Sequence, residues 1–336
     1  MYLFVKLRST VLCVFVFFFV FTAQNAHAQS EALRVNITPV HPKPFETVII
    51  NVEDFSRDLN KTEMTWSVDG KVVSSGIGIK NISIKTGDLG TATKVDINMG
   101  GVVKSLILRP SVTDLIWQAD TYTPPFYKGK ALHTAQDPIT VYAEPFIINK
   151  EGTRLNPDNL VYKWKLDDNV KANASGYGKK TFIITPSILI KPINVSVEIT
   201  STDNLYGSQA SVLIPNSAPE VVFYENHPLY GIRSSQALNN KDFVITNSEA
   251  RIIGVPFFFS NSQKKSNLLT YDWALNDSKI NQVQNTIIVR TPEGGEGGRS
   301  LISLQIKNLE RFLQNTDGKM YATYGTDASP QTQSVF

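Results

Sequence analysis

The sequence predicts an all-β protein, a tandem of β-sandwiches behind an N-terminal signal peptide. Three observations predict it. A basic head, an apolar run and a small-residue triplet open the chain. One tryptophan-centred strand motif occurs three times at domain-sized spacing. Between its copies apolar and polar residues alternate, the period of half-buried strands.

Lys6 and Arg8 form the basic head, Val11 to Ala23 the apolar run, and Ala26-His27-Ala28 the triplet. That order is the mark of a secretory signal. The run is shorter than the roughly 20 residues a membrane-spanning helix needs, and Gln24 and Asn25 interrupt it. Residues 1–28 therefore read as a signal peptide cut after Ala28. Left uncut, the segment would be the chain's one membrane contact, and the domains would still be exported.

Composition narrows the class. Cys13 is the single cysteine of the 336 residues and lies in the signal segment, so each sandwich must be held by burial without a disulfide. Of 33 basic and 30 acidic residues, removal of Lys6 and Arg8 leaves 31 and 30, a net charge of +1. Lys179-Lys180 and Lys264-Lys265 are isolated pairs. Nucleic-acid binding needs a concentrated basic face, and none is present in the sequence.

The motif copies are Met64-Thr65-Trp66-Ser67-Val68-Asp69-Gly70, Tyr162-Lys163-Trp164-Lys165-Leu166-Asp167-Asp168 and Tyr271-Asp272-Trp273-Ala274-Leu275-Asn276-Asp277. In each, Trp and an aliphatic residue two positions on share one face of a strand. Asp or Asn then opens a turn. The spacings, 164 − 66 = 98 and 273 − 164 = 109, are those of domains. Trp66, Trp164 and Trp273 are accordingly core candidates, each in a middle strand. Gly76-Ile77-Gly78 and Gly176-Tyr177-Gly178 follow the first two copies as tight turns before alternating runs.

Copies two and three also match before the Trp. Leu115-Ile116-Trp117 parallels Val221-Val222-Phe223, Pro125-Phe126-Tyr127 parallels Pro228-Leu229-Tyr230, and Glu144-Pro145-Phe146 parallels Val255-Pro256-Phe257. The first copy lacks this insertion. Ile193 to Ile199 and Ile302 to Ile306 alternate as strands, while Leu309, Phe312 and Leu313 have helical spacing over about one turn. Proline-rich boundaries at Arg109-Pro110-Ser111 and Pro215 to Pro219 divide the chain into 1–28 (signal), 29–109, 110–215 and 216–325 (sandwiches) and 326–336 (a frayed tail). Many short strands around a mid-domain Trp describe sandwiches of immunoglobulin-like type.

The Trp-x-[Val/Leu]-[Asp/Asn]-[Gly/Asp] strand resembles the PKD-like and Ig-like modules of bacterial secreted and cell-surface proteins, over most of the mature chain. The resemblance implies an extracellular spacer, adhesive or assembly role and carries no catalytic residue.

The sequence offers no catalytic constellation. His41, His133 and His227 lie far apart and lack a second ligand at metal spacing. The two Gly-x-Gly pairs have no helix behind them to receive a phosphate. Gly294 to Gly298 reads as a connector, and Asp69, Asp88, Asp167, Asp168 and Asp203 as turn formers without a calcium loop. No cofactor is expected. The aromatic leaders, Trp117 to Leu132 and Phe223 to Leu238, are the candidate interaction surfaces, through Trp117, Phe126, Tyr127, Phe223 and Tyr230. They would either stiffen the joints or recruit a partner, a protein or glycan of the cell envelope. The alternative is an exported enzyme acting on envelope glycan with a site grafted on a sandwich. N-terminal sequencing of the exported chain should begin Gln29-Ser30-Glu31; a mature form that retains Phe15 to Phe21 would mean an anchor instead.

Overall fold

The computed structural model describes residues 33–184, 191–292, 294 and 297–325. The signal segment, the tail from 326 and part of the Gly294–Gly298 loop lie outside the described residues.

The first sandwich contains β1 (Leu33–Thr38), β2 (Thr47–Asp54), β3 (Glu63–Val68), β4 (Lys71–Ile77), β5 (Asn81–Lys85), β6 (Thr93–Met99) and β7 (Val102–Leu108). Its sheets run β1-β2-β5 and β4-β3-β6-β7. The second contains β8 (Val112–Ala119), β9 (Ile139–Phe146), β10 (Val161–Leu166), β11 (Asn169–Val170), β12 (Gly176–Tyr177), β13 (Thr181–Ile184), β14 (Ile193–Thr200) and β15 (Gly207–Ile214). Here β13-β9-β8 faces β11-β10-β14-β15, with β12 also on β10. The third contains β16 (Glu220–His227), β17 (Gly231–Ile232), β18 (Asp242–Val244), β19 (Glu249–Phe257), the helical turn α1 (Asn261–Lys265), β20 (Leu269–Leu275), β21 (Ser278–Lys279), β22 (Thr286–Arg290), β23 (Gly298–Asn308) and β24 (Asn315–Tyr324). Its sheets are β17-β16-β19-β22 and β18-β24-β23-β20-β21. Each pair of sheets encloses its own apolar core. The chain is all-β, a tandem of immunoglobulin-like sandwiches.

The repeated motif does the same two things in each. Trp66, Trp164 and Trp273 are fully buried on β3, β10 and β20. Their indole N–H groups donate to the carbonyls of Ile79, Lys179 and Gln284, each at 2.8 Å. Those carbonyls sit just before β5, β13 and β22, strands of the facing sheet. One side chain thus fills the core and pins the two sheets together, satisfying its only polar atom.

The residues after the Trp close two-residue hairpins in which both central residues have positive φ, as type I′ turns require. These are Asp69-Gly70 (47° and 80°), Asp167-Asp168 (47° and 63°) and Asn276-Asp277 (46° and 65°). The first side chain then reaches sideways. Its Oδ1 accepts the main-chain N–H of Lys94, Asn194 or Leu301, at 2.9, 3.1 and 2.8 Å. The main-chain N–H of the same residue donates back to the carbonyl of that partner. Asp and Asn are interchangeable here because only an acceptor oxygen is needed.

The paired glycines are turns. Gly78 and Gly178 have φ of 77° and 69° and donate to the carbonyls of Thr62 and Leu160. The helical spacing at Leu309, Phe312 and Leu313 is not a helix. It falls in the β23–β24 connection, where Leu309 and Phe312 are exposed. Strand pairing over Gly298–Tyr324 outweighs a local pattern that has no core to face.

Truncating Trp273 to Ala should cost about 3–5 kcal/mol in the third sandwich and leave the first folded. Asn276→Asp should be within about 0.5 kcal/mol of wild type, whereas Asn276→Ala should lose about 1–2 kcal/mol with its acceptor. Chemical unfolding followed by circular dichroism reads both; equal losses for the two Asn276 variants would refute the role of the acceptor oxygen.

Candidate functional site

The joints are the places where side chains converge across sandwiches, and the connection between each sandwich's first two strands builds them. The first connection, residues 39–46, meets the second sandwich. Ser111 donates its N–H to the Pro42 carbonyl at 3.0 Å and its hydroxyl to the Gly207 carbonyl at 2.7 Å. His41 lies against Gly207, where any side chain would run into the imidazole ring. Burial holds the His41 pKa below its ordinary value, against an opposing pull from Glu198. A cavity of about 150 Å³ remains between Val40, Ile107, Ile148 and Tyr206.

The second connection, residues 120–138, is longer and docks on the third sandwich. Tyr122 donates to the Phe259 carbonyl at 2.6 Å and accepts from the Phe258 N–H at 2.8 Å. Asn261 donates to the Asp120 carbonyl at 3.2 Å, and the Thr134 hydroxyl donates to the Phe258 carbonyl at 2.8 Å. Pro124 turns the chain by accepting from Tyr127, so that Phe126 and Tyr127 project together. Phe126 packs edge-on against Tyr224 and Phe257, with ring centres 5.4 and 6.4 Å apart. Tyr127 does the same against Phe257 and Phe258, at 5.6 and 5.7 Å. Ile253 and Val255 complete this buried cluster on the outer face of β16 and β19. Beside it lies an open groove of about 450 Å³ lined by Tyr122, Pro125, Phe126, Ile232, Val255 and Lys264.

The same joint holds a buried polar set. Asp137 forms an ion pair with Arg311, which also donates to the Gln136 carbonyl. The Asp137 carboxylate accepts from Gln314 at 2.7 Å and lies 3.1 Å from the Thr134 hydroxyl oxygen. Gln314 in turn donates to the Ala135 carbonyl at 3.0 Å and accepts from the Ser260 N–H at 3.0 Å. Burial pushes the Asp137 carboxyl up to about 6, against the pull of Arg311 and the surrounding hydrogen-bond donors. His133 is buried nearby with Nδ1 unbonded, and burial lowers its pKa.

The aromatic candidates from the sequence separate into three groups. Phe126 and Tyr127 form the joint. Trp117 is half-buried on β8, packed against its own core, with the Lys130 ammonium 3.2 Å from the ring centre. Phe223 is fully buried, its ring 5.9 Å from that of Trp273, and has no surface to offer a partner. The reason is alternation: Val221 and Phe223 share the inward face of β16. Tyr230 is exposed at the β16–β17 turn and stacks on His227 at 4.7 Å. No local pattern in the sequence signals the Asp137–Arg311–Gln314 set, whose members lie 174 and 177 positions apart. Among the described residues no three His, Cys, Asp or Glu side chains converge as a metal site, and no helix is long and apolar enough to cross a membrane.

No protein-family model and no curated protein matches the chain. Solved structures do. One is a central fibronectin-III array of RIM-binding protein, 9% identical, covering 84% of this chain and 94% of that one, TM-score 0.25. A second is the three N-terminal domains of the bacteriophage RB49 outer capsid protein Hoc, 10% identical, covering 88% and 98%, TM-score 0.23. A third is a set of fibronectin(III)-like modules of Clostridium thermocellum CbhA, 11% identical, covering 55% and 94%, TM-score 0.24. At these scores the fold class rests on the sheets themselves.

Asp137 generates a pH test. The unfolded carboxyl titrates near about 4, below the folded value of about 6. Between the two the folded state holds a proton that the unfolded state has lost, so this contribution to stability falls as pH rises through that window. Subtracting the pH profile of Asp137→Asn from that of wild type, by chemical unfolding, should isolate the fall. A flat difference would mean that Arg311 keeps the carboxylate ionised.

Proposed function

We propose that the protein is a non-catalytic exported scaffold, at the cell surface or in the periplasm, whose sandwiches 29–109, 110–215 and 216–325 act as PKD-like spacer, adhesion or assembly modules. The observation that supports this reading is the joint between the second and third sandwiches. Main-chain hydrogen bonds, an aromatic cluster and a buried ion pair hold two domains in register there. Covalently linked domains do not need such contacts to stay together, so their use is to fix direction. A spacer or assembly element needs a fixed direction; a string of independent binding domains does not.

The outer face that receives Phe126 and Tyr127 adds support. In the third sandwich it carries Tyr224, Val255 and Phe257. By strand register, in which Val222 pairs with Val255 and Asp114 with Glu144, the matching positions of the second sandwich are Ile116, Glu144 and Phe146. There Arg154 pairs with Glu144 and covers the Phe146 ring at 4.1 Å. Ile116 and Ile183 remain exposed on that face, so the contrast lies in Glu144 and Arg154 standing where the third sandwich has Val255.

Small-angle scattering on the mature protein should give a narrow distribution of lengths. The double substitution Phe126→Ser with Tyr127→Ser should broaden it while the circular dichroism of the sheets is kept. A broad distribution for the wild type would sink the stiff-joint reading.

A further inference from the structure

The joint between the first and second sandwiches closes on two glycines. Gly90 faces Ile148 so closely that any side chain there would run into the isoleucine. Gly207 faces His41 in the same way, with Cε1, Nε2 and Nδ1 of the ring all where a side chain would begin. The imidazole therefore lies directly on the main chain of the next sandwich. The hydrogen bonds of the joint converge on the same place. Ser111 donates its N–H to the carbonyl of Pro42, the residue after His41, and its hydroxyl to the carbonyl of Gly207 itself. Gly90 donates to the Pro110 carbonyl at 2.9 Å. A ring displaced from Gly207 would pull on both Ser111 bonds at once.

Histidine changes charge between neutral and mildly acid pH, and little around His41 would hold that charge. Ile37, Val40, Ile107, Ile148 and Leu205 line the space beside it. The charged and titratable groups that face it are engaged. On its own connection the Glu46 carboxylate accepts the Lys43 main-chain N–H at 2.7 Å. On the linker the Arg109 guanidinium lies 5.9 Å from the centre of the Tyr206 ring. The Tyr206 hydroxyl accepts the Lys150 N–H at 3.0 Å. From β14 only Glu198 draws a proton toward the ring, and its carboxylate already holds Lys163 at 3.3 Å. Burial outweighs that pull, so the docked imidazole is mostly neutral at a pH near 6.5, where a free one is half charged. Its contribution to docking is complete above about pH 6.5 and is lost as pH falls below it.

We propose that the first joint is an acid-released hinge: proton uptake by His41 drives its ring off Gly207, breaks the Ser111 bonds, and frees the first sandwich from the second while each keeps its fold. The second joint is not built for the same response. His133 is buried there, but Asp137 lies in the same joint and responds to acid in the opposite sense. The inference concerns the first joint alone and adds a regulation to the scaffold reading, which is argued from the second. Either can fail while the other stands.

The test is native-state hydrogen exchange of the mature protein from neutral to mildly acid pH, read as protection factors so that the intrinsic pH dependence of exchange cancels. The reporter is the Ser111 amide, a donor across the joint. Its protection should be lost as pH drops below about 6.5, while the amides of β6 and β14 keep theirs. His41→Gln keeps a polar side chain but takes up no proton, and should make Ser111 protection independent of pH. Should that substitution undock the joint at every pH, Glu198→Gln decides. Removing the one group that draws the proton must move the release to lower pH. Ser111 protection that is constant with pH in the wild type, that falls equally in His41→Gln, or that is lost together with β6 and β14 would overturn the inference. So would a release that Glu198→Gln leaves in place or moves to higher pH.

Discussion

The main-chain exchange between Tyr122 and the Phe258–Phe259 segment converts two neighbouring sandwiches into a continuous hydrogen-bonded structure. Burying main-chain donors and acceptors at a domain boundary is unfavourable unless they are paired. Here they pair across it, next to the aromatic cluster of Phe126, Tyr127, Tyr224 and Phe257. Asp137 and Arg311 form their ion pair in the same joint. The polar set adds direction rather than much net stability, since desolvating an ion pair offsets most of its attraction.

A stiff joint is useful only if the bodies it joins are themselves rigid, and these have no disulfide to help. The Trp devices meet that need. An indole in each core spans the gap between sheets, and an Asp or Asn ties the following hairpin to the neighbouring strand. Every polar atom involved is satisfied locally, which lets one solution be used three times without the surroundings having to match.

Those devices are the part of the fold that is legible in the sequence. The strand period is local, and so is the turn chemistry of Asp-Gly, Asp-Asp and Asn-Asp. The docking of Phe126 and Tyr127 is half legible: a Pro-aromatic leader invites burial, but nothing local says against which sandwich. Phe223 misleads because its place in a leader suggests exposure, while its parity with Val221 on one face of β16 puts it in the core. Leu309, Phe312 and Leu313 mislead in the opposite way, as a three-residue coincidence that imitates a period. The Asp137–Arg311 pair joins positions 174 apart, and no local pattern marks either residue.

The most direct measurement of the joint is native-state hydrogen exchange at the amides of Tyr122 and Phe258. Both are donors across the boundary. If the two sandwiches form one hydrogen-bonded body, these amides should exchange on the timescale of core strands such as β14, since local opening there requires undocking the aromatic cluster. Exchange as fast as that of an exposed loop, with β14 still protected, would contradict the account and leave the sandwiches as independent beads.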